Sequence, residues 1–202
     1  MDMRERSPKT KQIILTAARS VFIDRGYTAA TISEISERAK FTRRTIYGYF
    51  PNKRELFLGV VKEALSVSWN FIADDHDVTS EKDLRDQLYE VAHALNDVFS
   101  TSAYVELIRI ILSEIHAQPE LKVLLSQGIT KSSVSAVKTI LHHANENDVI
   151  ARRNPNVAAE LFVGGFVFRL YIDGLLDYVP GKVQKYTDDE LALYVRDFLV
   201  TA

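Results

Sequence analysis

The 202-residue chain contains no cysteine, which removes disulfides, thiolate zinc sites and thiol nucleophiles together. That composition is compatible with a reducing cytoplasm, the expected location. Glycine and proline are scarce, at eight and five residues, so collagen-like and low-complexity chains are excluded. The opening MDMRERSPKTKQ lacks the apolar core of a secretory signal. The longest apolar run, VAAELFVGGFVFRLYI (Val157–Ile172), includes Glu160 and Arg169. It falls short of the roughly 20 mainly apolar residues of a spanning helix, and reads as a buried helix with no membrane role. Walker, dinucleotide-binding and Ser/His/Asp patterns are also missing, so neither an enzyme nor a cofactor is expected.

What the chain does have is a charge asymmetry beneath a net charge of −2. Residues 1–55 hold 12 Lys and Arg against 6 Asp and Glu, and the remainder 13 against 21, so a head of +6 precedes a body of −8. A basic head suggests a module that faces a polyanion, attached to a body with another task.

Helix signals dominate, and the expected fold class is all-α with about nine helices. Ser7 and Pro8 suit the start of a first helix, and Gly26 suits its left-handed stop. Thr31 with Glu34 forms a capping-box pattern, and Thr42 can cap a third helix through Tyr47. Asn52 opens a longer helix running to about Ile72. Ser80 starts another, to Phe99, followed by Tyr104–His116 and by one from Glu120 to Asn147 that is weak at Gly128. Asn154 and Pro155 open the apolar run, and Thr187 with Glu190 caps a last helix bearing the stripe Leu191, Tyr194, Val195, Phe198 and Leu199.

Two short helices across a tight turn match the helix-turn-helix plan, in which the second helix enters the major groove. Its first turn here carries Thr42, Arg43, Arg44 and Thr45. Arginine pairs with guanine O6 and N7, and the threonine methyl can touch a thymine methyl. Tyr47 and Tyr49 place hydroxyls within phosphate reach, and Lys53 opens the next helix as a further phosphate contact.

At these residues the chain resembles the DNA-binding domain of TetR-family transcriptional regulators. The elements are AARSVFIDRGY, TISEISERA, T-x-x-T-I-Y-x-Y-F and P-N-K-R-E-L, spread over Ile14–Val61, about a quarter of the chain. The resemblance implies a helix-turn-helix domain over residues 1–53 and a helical ligand-binding and dimerisation domain over 54–202. It implies a ligand-responsive repressor that binds a palindromic double-stranded DNA operator as a homodimer, together with a small-molecule effector. DNA contacts are then expected at Thr31, Thr42, Arg43, Arg44, Thr45, Tyr47, Tyr49 and Lys53. Two departures stand out: Lys40 occupies a turn position where the family often has glycine, and Arg44 one where many members have a small residue.

In the body, the apolar run has almost no polar face, so one side can meet its own core and the other a second subunit, with Gly164 and Gly165 permitting close approach. The resemblance favours a four-helix bundle made by the last two helices of each subunit. Val163, Phe166, Leu170, Leu191, Tyr194, Val195 and Phe198 are its expected interface. Trp69, Phe71, His93, Tyr104, Arg109, His116 and Phe166 are candidates for a ligand cavity, since such cavities are mostly apolar with a few placed polar groups. The helix opening at Asn52 links Lys53 to Trp69 and Phe71. No metal site is expected: of His142, His143 and Glu146, only the last two are read as sharing a face, and Asp74–Asp77 lacks calcium-loop spacing. The alternatives are the same fold answering to a protein partner or acting architecturally, and a helical enzyme with a DNA-binding head.

Overall fold

The computed structural model describes residues 7–66, 77–127, 129–169, 174–176 and 185–201. Among them the chain is helical, with no strand: α1 (Pro8–Ala29), α2 (Ile32–Ala39), α3 (Arg43–Tyr49), α4 (Lys53–Ser66), α5 (Glu81–Phe99), α6 (Ser102–Glu114), α7 (Glu120–Gln127), α8 (Ile129–Glu146), α9 (Pro155–Arg169) and α10 (Asp188–Thr201). The all-α expectation holds. Within the stretch read as one helix from Glu120 to Asn147, the described residues are helical over Glu120–Gln127 and Ile129–Glu146. No described helix is long and apolar enough to cross a membrane.

Local chemistry sets the helix starts. At α2 the Thr31 side chain accepts from the Glu34 N–H at 3.2 Å, while the Glu34 carboxylate accepts from the Thr31 N–H at 3.0 Å. The same reciprocal pair opens α10, through Thr187 and Glu190. Ser80 caps α5 by accepting from the Asp83 N–H, Asn52 serves Glu55 at α4, and Asn154 serves Asn156 and Val157 at α9. Each bond satisfies a donor that a helix N-terminus otherwise leaves unpaired. Ser7 makes no such bond, so α1 begins on Pro8 alone. Gly26 interrupts α1 at φ +74°, ψ 166°, a conformation open only to glycine.

The chain divides into two compact units, Met1–Leu65 with Glu106–Leu124, and Ser66–Val105 with Leu125–Ala202. The first unit centres on Ile14, Phe22, Ile35, Ile46, Leu56 and Phe57, all fully buried. The rings of Phe22 and Phe57 meet edge to face at 5.1 Å, and Tyr27 lies 4.8 Å from Phe57.

In the second unit, α9 packs on α10 through aromatic rings. Phe162 meets Phe198 at 4.9 Å and Phe166 meets Tyr194 at 4.6 Å. The Tyr194 hydroxyl donates to the Phe162 carbonyl at 2.5 Å, and burial raises its pKa. Gly165 leaves the space, since a Cβ there would collide with that hydroxyl oxygen. Three asparagines clamp loops: Asn96 bonds both the N–H and the carbonyl of Tyr186, Asn145 does the same for Arg153, and Asn147 donates to Val78.

The residues expected at a dimer interface take part in this packing. Val163, Phe166, Leu191 and Val195 are buried within the single chain, and Tyr194 and Phe198 belong to the ring cluster. Leu170 lies outside the described residues. The apolar residues left in solvent are others: Val157, Leu161 and Phe168 on α9, and Leu193 and Val200 on α10, with Leu161 and Phe168 each 68% exposed.

The helix-turn-helix turn is a Schellman motif: Phe41 N–H bonds Ser36 O at 3.1 Å and Lys40 N–H bonds Glu37 O at 3.2 Å. Lys40 sits at φ 56°, ψ 37°, in the left-handed region. The turn therefore keeps its geometry without glycine, at a conformational cost of about 1–2 kcal/mol. Because glycine also gains freedom in the unfolded chain, Lys40→Gly is expected to stabilise by no more than about 1 kcal/mol. Thermal unfolding should then show a rise of roughly 2–4 °C at most. A fall in melting temperature would contradict the left-handed assignment.

Candidate nucleic-acid interface

Thr42 caps α3 by accepting from the Thr45 N–H at 3.1 Å, and the two threonine hydroxyls are 2.9 Å apart. This pair starts a helix of seven residues that lacks an acidic residue in its first turn. Arg43 and Arg44 follow the cap, both exposed, and neither guanidinium has a hydrogen-bond or ion-pair partner among the described residues. Tyr47 is exposed on the same helix, while Tyr49 is half-buried and donates to Ser7 O at 3.4 Å. The structure thus brings Thr42, Arg43, Arg44, Thr45 and Tyr47 together on one short helix, with two unpaired cations at its start.

The other two expected DNA contacts are already engaged. The Thr31 hydroxyl donates to Glu34 at 2.9 Å. Lys53 turns inward: its ammonium donates to the carbonyls of Tyr27, Thr28 and Ala30 at 2.8, 3.1 and 3.0 Å. An ammonium has three donors, so its capacity is filled within the protein. Lys53, expected at a phosphate, stands here as a cap on the end of α1.

The interface is held from behind. Ile46 and Phe50 of the α3 segment are buried, and the Phe50 ring occupies space that a side chain on Gly59 would need. Arg38 of α2 bonds Asp24 and Ser20 of α1 at 2.5 and 2.6 Å, and Gln12 of α1 bonds Glu63 of α4 at 2.6 Å. A segment distant in sequence joins this unit as well. Arg54 pairs with Glu120, Thr28 donates to Glu114 at 3.4 Å, and burial, with Glu114 adding to it, raises the Tyr27 pKa. Sequence reading missed these contacts, since no local signal joins residues some 60 to 90 positions apart.

The ligand candidates belong to both units. His93 faces Asp97 at 3.3 Å on α5, Tyr104 stacks on Phe99 at 5.5 Å, and Arg109 pairs with Glu106 at 3.1 Å in the first unit. Phe166 belongs to the α9–α10 ring cluster, and His116 is exposed. Trp69 and Phe71 lie outside the described residues, as do Asp74–His76. On α8 His142, one turn before Glu146, meets it at 3.4 Å, since a spacing of four also shares a helix face. Among the described residues no three His, Cys, Asp or Glu side chains could hold a metal ion together.

Comparison with known proteins agrees with this arrangement. Residues 14–60 match the N-terminal domain of bacterial regulatory proteins of the tetR family, and residues 86–195 the C-terminal domain of AefR-like transcriptional repressors. The fatty acid metabolism regulator protein of Bacillus subtilis is 26% identical over 195 residues, covering 81% of this chain and 98% of its own. Two further curated relatives are matched over only 44% and 22% of their length. A TetR transcriptional regulator from Agrobacterium tumefaciens superposes with a TM-score of 0.74 at 20% identity, over 96% of this chain and 94% of that one. The Bacillus subtilis regulator FadR, in complex with stearoyl-CoA, does so at 0.70 and 21% identity, over 94% and 97%. At such identities the superpositions speak for the fold alone, but the C-terminal match spans more than half of the chain. A basic helix-turn-helix head, an all-helical body and matches to both parts lead to one conclusion: the chain belongs to the TetR family of transcriptional regulators.

Proposed function

We propose that this regulator binds a roughly palindromic operator as a homodimer, represses from it, and is released by a small-molecule effector. The observation that carries the reading is the unpaired Arg43 and Arg44 at the exposed start of α3. In water two adjacent guanidiniums repel, and a duplex supplies what they lack: phosphates for charge and guanine edges for bidentate pairing. Residues 1–53 would meet DNA, and residues 54–202 would dimerise and take the effector. Dimerisation is supported by the apolar residues that α9 and α10 leave in solvent, Val157, Leu161, Phe168, Leu193 and Val200. Side chains of this size gain roughly 1.5–3 kcal/mol each on full burial.

For the effector, the likeness to a regulator named for fatty acid metabolism and to one bound to stearoyl-CoA makes acyl-CoA thioesters the first class to try. An effector that binds the native state raises the melting temperature by mass action. An effector that also releases DNA should weaken operator binding by about 5–150-fold, corresponding to a coupling of roughly 1–3 kcal/mol. Linkage is reciprocal, so the operator must weaken effector binding by the same factor. The test is a thermal-shift series with acyl-CoAs of different chain length and other apolar metabolites, followed by titration of the best binder with and without operator. Equal affinity for free and DNA-bound protein would exclude release by that compound. A library without any thermal shift would favour a protein partner as the signal.

A further inference from the structure

The geometry points to Lys53 as a positioning residue that sets DNA affinity from inside the protein, without touching phosphate; the inference rests on the DNA-binding reading above. Lys53 is the first residue of α4. Its Nζ donates to the carbonyls of Tyr27, Thr28 and Ala30, and lies 4.7 Å from the centroid of the Tyr27 ring. The three carbonyls lie beyond the bond from Ala30 N–H to Gly26 O (3.3 Å), where the helix has no further N–H groups to offer them. A cation there also meets the negative end of the α1 dipole. A phosphate oxygen could reach Lys53 only by displacing one of these acceptors.

What the ammonium holds is the link that aims the DNA-facing helices. After Gly26, at φ +74°, the last turn of α1 hangs on a residue that imposes little direction of its own. Ala30 is followed directly by Thr31, which caps α2, and α2 leads through the Lys40 turn into α3. Lys53, which opens α4, therefore holds Ala30, the residue before the α2 cap, closing the two ends of the segment that contains α3. Without the ammonium, three carbonyls lose their donor and the segment is free to drift. A shift of about 1 Å in a docked constellation is enough to lose most of its fit.

The test uses the full chain and a duplex that the wild-type protein selects from a random-sequence pool. Lys53→Met keeps the hydrocarbon stem and removes the charge. Its affinity is expected to fall about tenfold at every salt concentration, with a slope of log K against log salt parallel to wild type. Hydrogen exchange without DNA should quicken at the amides of residues 30–35 and stay unchanged in α5 and α8. Lys53→Arg keeps the charge, but its planar fork cannot aim three donors at one convergent set of carbonyls, so it too should lose affinity. This variant also serves if Lys53→Met does not fold. A phosphate ligand behaves in the opposite way. The slope would become shallower by roughly 0.9 per phosphate, about 1.8 for two half-sites, with unchanged exchange and with wild-type affinity in Lys53→Arg. That pattern overturns the proposal, as does wild-type affinity in a folded Lys53→Met protein. If the wild type selects no duplex, the DNA-binding reading itself fails, and this is visible before any variant is compared.

Discussion

Leu161→Asp is expected to convert a stable dimer into a folded monomer and to lower operator affinity by more than 100-fold. Leu161 is 68% exposed on α9, so a carboxylate there keeps its water in the monomer and leaves the core untouched. In the dimer the same carboxylate would be desolvated without a partner. By twofold symmetry each change counts twice. Even the lower value of roughly 1.5 kcal/mol per buried leucine removes about 3 kcal/mol, more than a hundredfold in dissociation constant. Phe168→Asp should act alike. Phe166→Asp should not: Phe166 is 3% exposed, among the rings of Tyr186 and Tyr194, and a charge there is expected to unfold the second unit. Sedimentation with circular dichroism separates the outcomes. A helical Leu161→Asp protein that stays dimeric at micromolar concentration would remove α9 from the interface.

Arg43→Ala and Arg44→Ala are expected to erase base preference at one symmetric operator position each, at about 1–3 kcal/mol per lost bidentate pair. Both half-sites carry the change, so the loss for the preferred sequence is about twice that. Both side chains are exposed and unpaired within the described chain, so the melting temperature should hardly move. Binding titrations against single-position operator variants give the answer. An arginine that reads a base loses affinity for the preferred duplex and little for the variant at its own position. If both substitutions weaken all sequences equally and flatten the salt slope, both arginines are phosphate contacts and the base code lies elsewhere.

The features legible in the sequence were those whose cause lies within a few residues. Thr31 with Glu34, Thr42 with Thr45, Ser80 with Asp83 and Thr187 with Glu190 bond across three positions, so a local pattern suffices to place α2, α3, α5 and α10. The unpaired arginines were legible for the same reason, because exposure at a helix start needs no distant partner. On α9 periodicity failed. Val157, Leu161 and Phe168 face solvent while Ala158, Phe162 and Val163 are buried, and both faces are apolar, so composition could not say which was the core. The three carbonyl partners of Lys53 escaped a local reading for another reason. A lysine opening a helix beside a basic segment reads as a phosphate contact until the end of α1, over 20 residues earlier, is folded against it. The pairing of Arg54 with Glu120 was beyond local reading altogether, being a property of the tertiary fold.

Whether α3 reads DNA as one of a symmetric pair is decided by letting the purified protein select duplexes from a random-sequence pool and sequencing the survivors. One palindromic motif is expected, with half-site centres separated by about 10–10.5 base pairs or a multiple of it. Its most constrained symmetric positions should be those that lose preference in Arg43→Ala and Arg44→Ala. Selection of no motif, or of a motif without twofold symmetry that survives both substitutions unchanged, would contradict such a reading.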